Sequence, residues 1–446
     1  MAKPASATNP LLPVQPIRRF TRPLALFLRV ESASGVVLLI CTAVALALAN
    51  SSFAGAFKKF WHAPVTLTVG GFTISVGTFG HFFVNDVLMT IFFFVVGLEI
   101  KRELVAGELR EPRKAALPVA AALGGMLVPA GIYMALMATS AGAPPFRGWG
   151  VPMATDIAFV VGVMALLGPR VPVGLKIMLL SLAIADDIGA VIVIAIFYSS
   201  GLNWLLLGLA AAGFGVTYAL NRLGARAVPV YIAVGALIWL AVYKSGVHPT
   251  VAGVALGLLT PASAWIGDKT LVQVLSEALE RAPGPGAERR EVLETVAFTA
   301  REGVSPLERL EVALHPWVGF VIMPLFALAN AGVTINPSAV GDPVAVAVAI
   351  GLVIGKPVGV LLFSYIAIRA GIAALPQGVT WPVLLGGGCL AGIGFTMSLF
   401  VAGLAFADHA PLLADAKIGI LLGSLLSAVL GVIVLLLTLK KKAEES

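Results

Sequence analysis

Runs of about twenty apolar residues recur along this chain, the length an α-helix needs to cross the roughly 30 Å hydrocarbon layer of a bilayer. Bounded by charge, Pro or Gly, twelve can be marked, at roughly 31–50, 80–100, 115–138, 147–168, 173–199, 203–221, 227–243, 246–265, 313–334, 343–368, 381–405 and 415–439. Backbone polar groups in lipid must be satisfied within their own segment, so such runs are read as helices. Only 12% of the 446 residues are charged and 59% are hydrophobic, whereas soluble domains carry about 25% charge. The expectation is an all-α polytopic membrane protein of about twelve helices. It comprises an N-terminal segment 1–30, helices one to eight over 31–265, a loop 266–312, helices nine to twelve over 313–439 and a tail 440–446.

Lys and Arg are retained on the cytoplasmic side of a membrane, which orients the spans. With both termini cytoplasmic, 24 of the 30 Lys and Arg fall inside, among them "RRFTR", "KRELVAGELREPRK", the 266–312 loop and the terminal "KKK". Lys58, Lys59, Arg147, Lys244 and Lys417 fall outside, and Lys356 lies within a span. The net charge of +7 is scattered over short loops without the interleaved aromatics of a nucleic-acid surface, so no nucleic-acid partner is expected. Residues 1–30 lack an apolar core followed by a small-residue cleavage site and are expected to stay on the mature chain. Cys41 and Cys389 have neither metal-site nor disulfide spacing and read as packing residues.

Two segments outside the spans have character of their own. In "VTLTVGGFTISVG", residues 65–77, alternation on either side of Gly70 and Gly71 predicts a two-strand hairpin on the external face. It is either an idle hairpin or a pairing edge for a second copy, since a lone hairpin is barely stable. The 266–312 loop, with "APGPGAERR" and many charges, reads as partly helical and partly disordered, and as a link between two halves.

The ionisable residues inside the spans carry the functional signal. An Asp at mid-membrane costs about 2.5 to 3.5 kcal/mol on insertion scales. Asp186 and Asp187, adjacent in "LAIADDIGAVIVIAIF", therefore face protein or water. Lys356, in "GLVIGKPVGVLLF", is the one intramembrane cation, and a salt bridge to one of the two aspartates is expected. Such a pair is weak evidence for stability, because desolvation can exceed the Coulomb gain, which favours a functional or switching role.

Span four, "RGWGVPMATDIAFVVGVMALLG", carries Thr155 and Asp156 after Gly148, Gly150 and Pro152. Span eleven, "GGGCLAGIGFTMSLF", is interrupted by glycine. Broken spans leave opposed partial charges at mid-membrane; Asp156 is expected at the positive ends and Lys356 at the negative ones. The two spans differ by an odd number, so three-span units at 3–5 and 10–12 would be inverted copies, as in transporters with discontinuous helices. Carboxylate, hydroxyl and carbonyl oxygens suit hard cations. Like charges in one low-dielectric site need neutralising, so a proton and a cation would compete for the same oxygens. No cofactor is called for.

Seven stretches in order, "VGLEIKREL", "ATDIAF", "AIADDIGA", "KSGVHPTVAG", "LHPWVGF", "IGKPVG" and "AGIGFTMSLF", closely resemble the NhaA sodium/proton antiporters of bacterial inner membranes over nearly the whole chain. NhaA is itself one of the standard examples of inverted-repeat architecture. The resemblance implies exchange of sodium or lithium for protons, with Asp187 the principal cation ligand and Asp186 a proton-linked carboxylate able to pair with Lys356. It places Thr155 and Asp156 at the broken-helix crossing and Asp86, in "FFVNDVLM", on the route to the site. It also implies a pH response through Glu99, Lys101, Arg102, Glu103 and Glu311, with His248 linked to it. From the residues alone, Glu99–Glu103 could equally be a solvated helix end, Asp86 a water-facing residue near a span end and His248 a satisfied interfacial histidine. The chain departs from the family pattern at Val312, where a histidine can follow the glutamate, at Pro249 and in its longer 266–312 loop; these differences bear on the pH setting.

Other readings compete. An intramembrane aspartyl protease would need two aspartates sharing a proton across a peptide bond; the Gly-x-Gly-Asp context expected for one is missing, and it gives Lys356 no role. A sodium-coupled solute carrier or a cation channel would use the same acidic residues without exchange. The expectation is therefore a transporter and not an enzyme, with sodium or lithium ions, protons and the bilayer as partners, and a homodimer formed through the hairpin.

Overall fold

A computed structural model describes residues 31–69, 72–138, 143–199, 201–224, 228–281, 287–334 and 341–444. The N-terminal segment 1–30, the glycines at the hairpin tip, residues 282–286 of the long loop and the last two residues lie outside this description. Among the described residues, nine helices are long and apolar enough to cross a membrane, or up to eleven if each of two bent pairs counts as one span.

The chain opens with α1 (Glu31–Ala49) and α2 (Ala54–Trp61), bent by 116° from one another. Then come β1 (Pro64–Val69) and β2 (Phe72–Thr78), paired antiparallel from Val69 opposite Phe72 out to Pro64 opposite Thr78. A bulge interrupts the register between Val65 and Thr66, and Gly77, opposite Val65, takes a φ of +103° that side chains rarely tolerate. This is the expected hairpin.

The helices α3 (Gly80–Ala106), α4 (Pro112–Met137), α5 (Ile157–Leu167) and α6 (Val173–Phe197) follow. A 3-10 stretch, Arg147–Met153, precedes α5. Next are α7 (Trp204–Arg222), α8 (Val228–Ser245) and α9 (Thr250–Leu259). The long loop folds as α10 (Asp268–Arg281) and α11 (Ala287–Glu302). The last group is α12 (Pro306–Asn330), α13 (Pro343–Arg369), α14 (Trp381–Ala391), α15 (Phe395–Ala405) and α16 (Ala410–Glu444).

Two boundaries differ from the sequence reading, each for a local reason. The eighth run, expected at 246–265, is helical only over the ten residues of α9, or about 15 Å. Gly246 (φ +88°) turns the chain before it, and Thr260 is held extended by Pro261 after it. The ninth helix begins at Pro306, not near 313, because Ser305 accepts a hydrogen bond from the Glu308 amide at 3.2 Å with Pro306 in the first turn.

Small residues set the packing. Helix α13 lies along α4, and a Cβ on Gly359 or Gly124 would collide with the other's carbonyl oxygen. Helix α9 lies against α3 in the same way, through Gly97, Gly253 and Gly257. In lipid, where tails are as apolar as leucine, such close backbone approach is a main source of helix association. Helices α14 and α16 complete the packed region around α13. Helices α7 and α8 pair at its edge and expose Trp204, Leu205 and Leu237, as lipid-facing helices do. The result is a multi-pass membrane protein with a buried helical core. Replacing Gly359 with Val should push α13 off α4; the check is thermal unfolding of the purified protein in detergent, with an expected loss of at least about 1–3 kcal/mol.

Candidate functional site

Residues 154–156 are not helical: Pro152 and the glycines before it favour a short 3-10 run, and Ala154 and Asp156 are extended before α5 begins. Between α14 and α15 the chain breaks again at 392–394, with a bend of 46°. The two breaks meet deep in the protein. The Asp156 amide donates to the Ile393 carbonyl at 2.7 Å, and the Thr155 hydroxyl donates to the Ala391 carbonyl at 2.9 Å. The Ser398 hydroxyl donates to the Val151 carbonyl at 2.8 Å. Asp156 Oδ1 accepts from the Phe159 amide at 3.2 Å, capping α5. Its Oδ2 accepts from the Thr396 amide at 3.0 Å and from the Thr396 hydroxyl, so it also meets the first turn of α15. One carboxylate thus serves the positive ends of two helices.

Beside this crossing α6 presents Asp186 and Asp187, both buried. Lys356, fully buried on α13, donates to Asp186 Oδ2 at 2.5 Å. Its stem passes Gly125 of α4, and a π-helical turn, Gly351–Gly355, leads into it. The Asp187 carboxylate accepts no hydrogen bond among the described residues. It stands within electrostatic reach of Asp186, Glu99, Asp156 and Lys356. Thr155 is likewise close to Asp186, whose Oδ1 has no hydrogen-bond partner among the described residues. Three carboxylates, the Thr155, Thr396 and Ser398 hydroxyls, broken-backbone carbonyls and one ammonium therefore converge. This donor set suits a small hard cation or a proton and offers no sulfur or imidazole for a softer metal.

Two further polar groups flank the centre along α3. Towards Gly80, buried Asp86 has His81 Nδ1 at 3.3 Å and His248 Nε2 at 3.8 Å, while Asn85 and Asn330 exchange amide hydrogen bonds of 3.3 and 2.8 Å. At the far end Arg102 pairs with Glu311 of α12, and Glu103 accepts from Ser181 of α6 at 3.3 Å. No partner of Lys101 is recorded among the described residues.

The family model described as Na+/H+ antiporter 1 matches residues 25–435. The chain belongs to the NhaA antiporter family. It is 51% identical to the Na(+)/H(+) antiporter NhaA of Rhodopirellula baltica, over 97% of this chain and 98% of that one. It is 48% identical to the Na(+)/H(+) antiporter NhaA of Rhizobium meliloti, over 96% and 97% respectively. Among solved structures, the sodium proton antiporter MjNhaP1 from Methanocaldococcus jannaschii gives a loose likeness, with a TM-score of 0.44 at 14% identity over 94% of this chain and 96% of that one.

For this NhaA-family chain the geometry gathers Thr155, Asp156, Asp186, Asp187 and Lys356 at one point. It sets Asp86 and His248 together towards one end of α3, and Arg102, Glu103 and Glu311 towards the other. His248 is therefore not a neighbour of the Arg102–Glu311 pair. Lys356 makes the expected salt bridge, to Asp186, but does not serve the negative helix ends: the carbonyls at the crossing are met by the Asp156 amide and the Thr155 and Ser398 hydroxyls.

The sequence reading missed Thr396, although "GFTMS" was in view, and His81. The signal for Thr396 is a hydroxyl two residues past a glycine break, in the first turn of the next half-helix. His81 and Asp86 are five apart, which an α-helix would separate by about 140°. They face each other because Gly80–Leu88 is π-helical, with hydrogen bonds from i to i+5.

A buried pair that loses one partner leaves an uncompensated charge. Lys356→Met should therefore lower stability by about 3–5 kcal/mol in detergent melts, and adding Asp186→Leu should recover most of the loss.

Proposed function

We propose that this chain exports sodium or lithium in exchange for protons by alternating access. The observation that carries the reading is the pair of adjacent buried carboxylates on α6, one held by Lys356 and the other without a hydrogen bond among the described residues, beside the crossing of two broken helices. Asp187 is the principal cation ligand, Asp186 the proton-linked partner of Lys356, and Thr155 and Asp156 complete the polar lining. With Lys356 charged and both aspartates ionised, the trio carries one net negative charge. Sodium and protons compete for that charge, and the centre crosses loaded with one or the other.

The cycle follows from that competition. Sodium from the cytoplasm displaces protons, the unit that holds the crossing shifts, sodium leaves outward and external protons reload the carboxylates. With more than one proton returned per cation the cycle is electrogenic, and the membrane potential contributes about 2.3 kcal/mol per charge per 100 mV. The distribution of Lys and Arg supports an inner-membrane orientation with both termini cytoplasmic, about twelve crossings in all, and inverted three-helix units around the two breaks. Asp86 lies on the external route.

The charged group Glu99, Lys101, Arg102, Glu103 and Glu311 is the cytoplasmic pH-responsive part, and His248 contributes from the external end. Its support is a chain of contacts from α12 through Arg102 and Glu103 of α3 to Ser181, on the helix that bears the aspartates. The external hairpin is the dimer contact, with an open strand edge on each copy.

Vesicles holding the purified protein and an acid interior should alkalinise when sodium or lithium is added outside. Asp187→Asn should abolish this with both cations while the protein melts at or above the wild-type temperature, since the variant removes a buried charge. Undiminished exchange in that variant would remove Asp187 from the centre, and sodium-driven uptake of an organic solute would replace the antiporter reading.

A further inference from the structure

Asp86 is 2% exposed, and among the described residues its Oδ2 accepts no well-aligned hydrogen bond, its nearest polar neighbour being His81 Nδ1 at 3.3 Å. A buried carboxylate oxygen left in that state asks for an explanation. A cavity of about 20 Å³, room for roughly one water, lies beside it, lined in part by His81, Asn85, His248, Asn330 and Phe400.

The two imidazoles are not equivalent. His248 Nδ1 lies 2.8 Å from the Thr250 hydroxyl and accepts from the Thr250 amide at 3.5 Å. Nδ1 is thus the acceptor nitrogen, and the proton sits on Nε2, the atom 3.8 Å from Asp86 Oδ1. Buried and packed edge-to-face with Phe400, His248 stands near the carboxylate but beyond hydrogen-bond distance of it. His81 differs: its side chain is 59% exposed, with Nδ1 3.3 Å from Asp86 Oδ2. It joins solvent to the buried oxygen.

The other groups around Asp86 leave this pair in charge of the local chemistry. From α8, Tyr243 is within electrostatic reach, with Lys244 over its ring. From α12 comes the neutral Asn330, and from α15 only apolar side chains reach the cavity. Thr396, which holds Asp156, is one turn before Phe400 on α15, so the cavity lies about 6 Å along that helix from the crossing.

We propose that His81 and Asp86 form an external proton-loading station for the exchange centre. A hydronium ion in the external water gives a proton to His81 Nε2 and leaves as water, Nδ1 passes its proton to Asp86 Oδ2, and the imidazole returns to its neutral form. The carboxylate, now neutral, holds the proton at the head of the inward route, and no electron moves in this step. The inference rests on the antiporter reading and adds to it that the external pH at which protons reload is set by His81.

The test uses right-side-out vesicles, from a host without sodium efflux of its own, loaded with radioactive sodium at fixed interior pH. Efflux is followed while bath pH is varied. In His81→Ala the bath pH for half-maximal efflux should move to the acid side by about one unit, a tenfold change in proton concentration, while the dependence on interior pH stays as in the wild type. His81→Gln keeps a donor and the shape but cannot titrate, and should shift equally. A wild-type bath-pH profile in His81→Ala, or rescue by His81→Gln, would overturn the proposal and leave His81 a packing residue. Because His81 is exposed, both variants should assemble. Sodium efflux in the wild type that ignores bath pH altogether would instead bring down the antiporter reading itself.

Discussion

The Lys356 ammonium and the Asp186 carboxylate meet at 2.5 Å with no solvent exposure on either side chain, and much of the core is arranged to permit that contact. Taking two such ions out of water costs several kcal/mol each even after relaxation, and their attraction offsets this only when geometry is tight. The glycines of α4 and α13 supply that tightness. Gly124 and Gly359 bring the backbones together, and Gly125 leaves the lysine stem a channel to α6. Neutralising Asp186 in this way leaves Asp187 as a carboxylate with no hydrogen bond or ion pair among the described residues. An exchanger needs a group of that kind, since a permanently satisfied carboxylate would have no affinity left for a transported ion.

Helix α3 runs alongside all three polar groups. From Asp86 to Glu99 is about 20 Å of helix, and Asp187 lies within electrostatic reach of the Glu99 end. Its first turns are π-helical, which spaces side chains differently from the remainder, and the two parts of one helix therefore present different patterns. The π-helical turn ahead of Lys356 on α13 does similar work, aiming one long side chain at one carboxylate.

Much of this was legible in the sequence. Apolar run length located most helices because lipid leaves the backbone no alternative, and aspartate or lysine inside such runs marked the centre because their insertion is so unfavourable. Gly148, Gly150, Pro152, Gly392 and Gly394 marked the two breaks. The finer geometry was hidden where an assumption of uniform α-helix failed. The five-residue spacing of His81 and Asp86 gives no shared face on a uniform α-helix, and the run at 246–265 counted as a span although Pro261 and Gly246 confine its helix to ten residues. The partner of the broken-end carbonyls was missed for a different reason. Formal charge suggested Lys356, whereas hydroxyls and one backbone amide suffice for partial charges, leaving the lysine for a full one.

Asp156 has a mechanical meaning as well. One side chain fastens α5 to α15, and drawing the two apart would strip both of their first-turn acceptor in a single event, on the order of 0.5–2 kcal/mol for each cap. The crossing therefore resists opening like a rivet resists tension, and it tolerates displacement only when both strands of the joint travel together. In the proposed cycle, compliance would come from connectors outside the joint, such as residues 107–111 between α3 and α4.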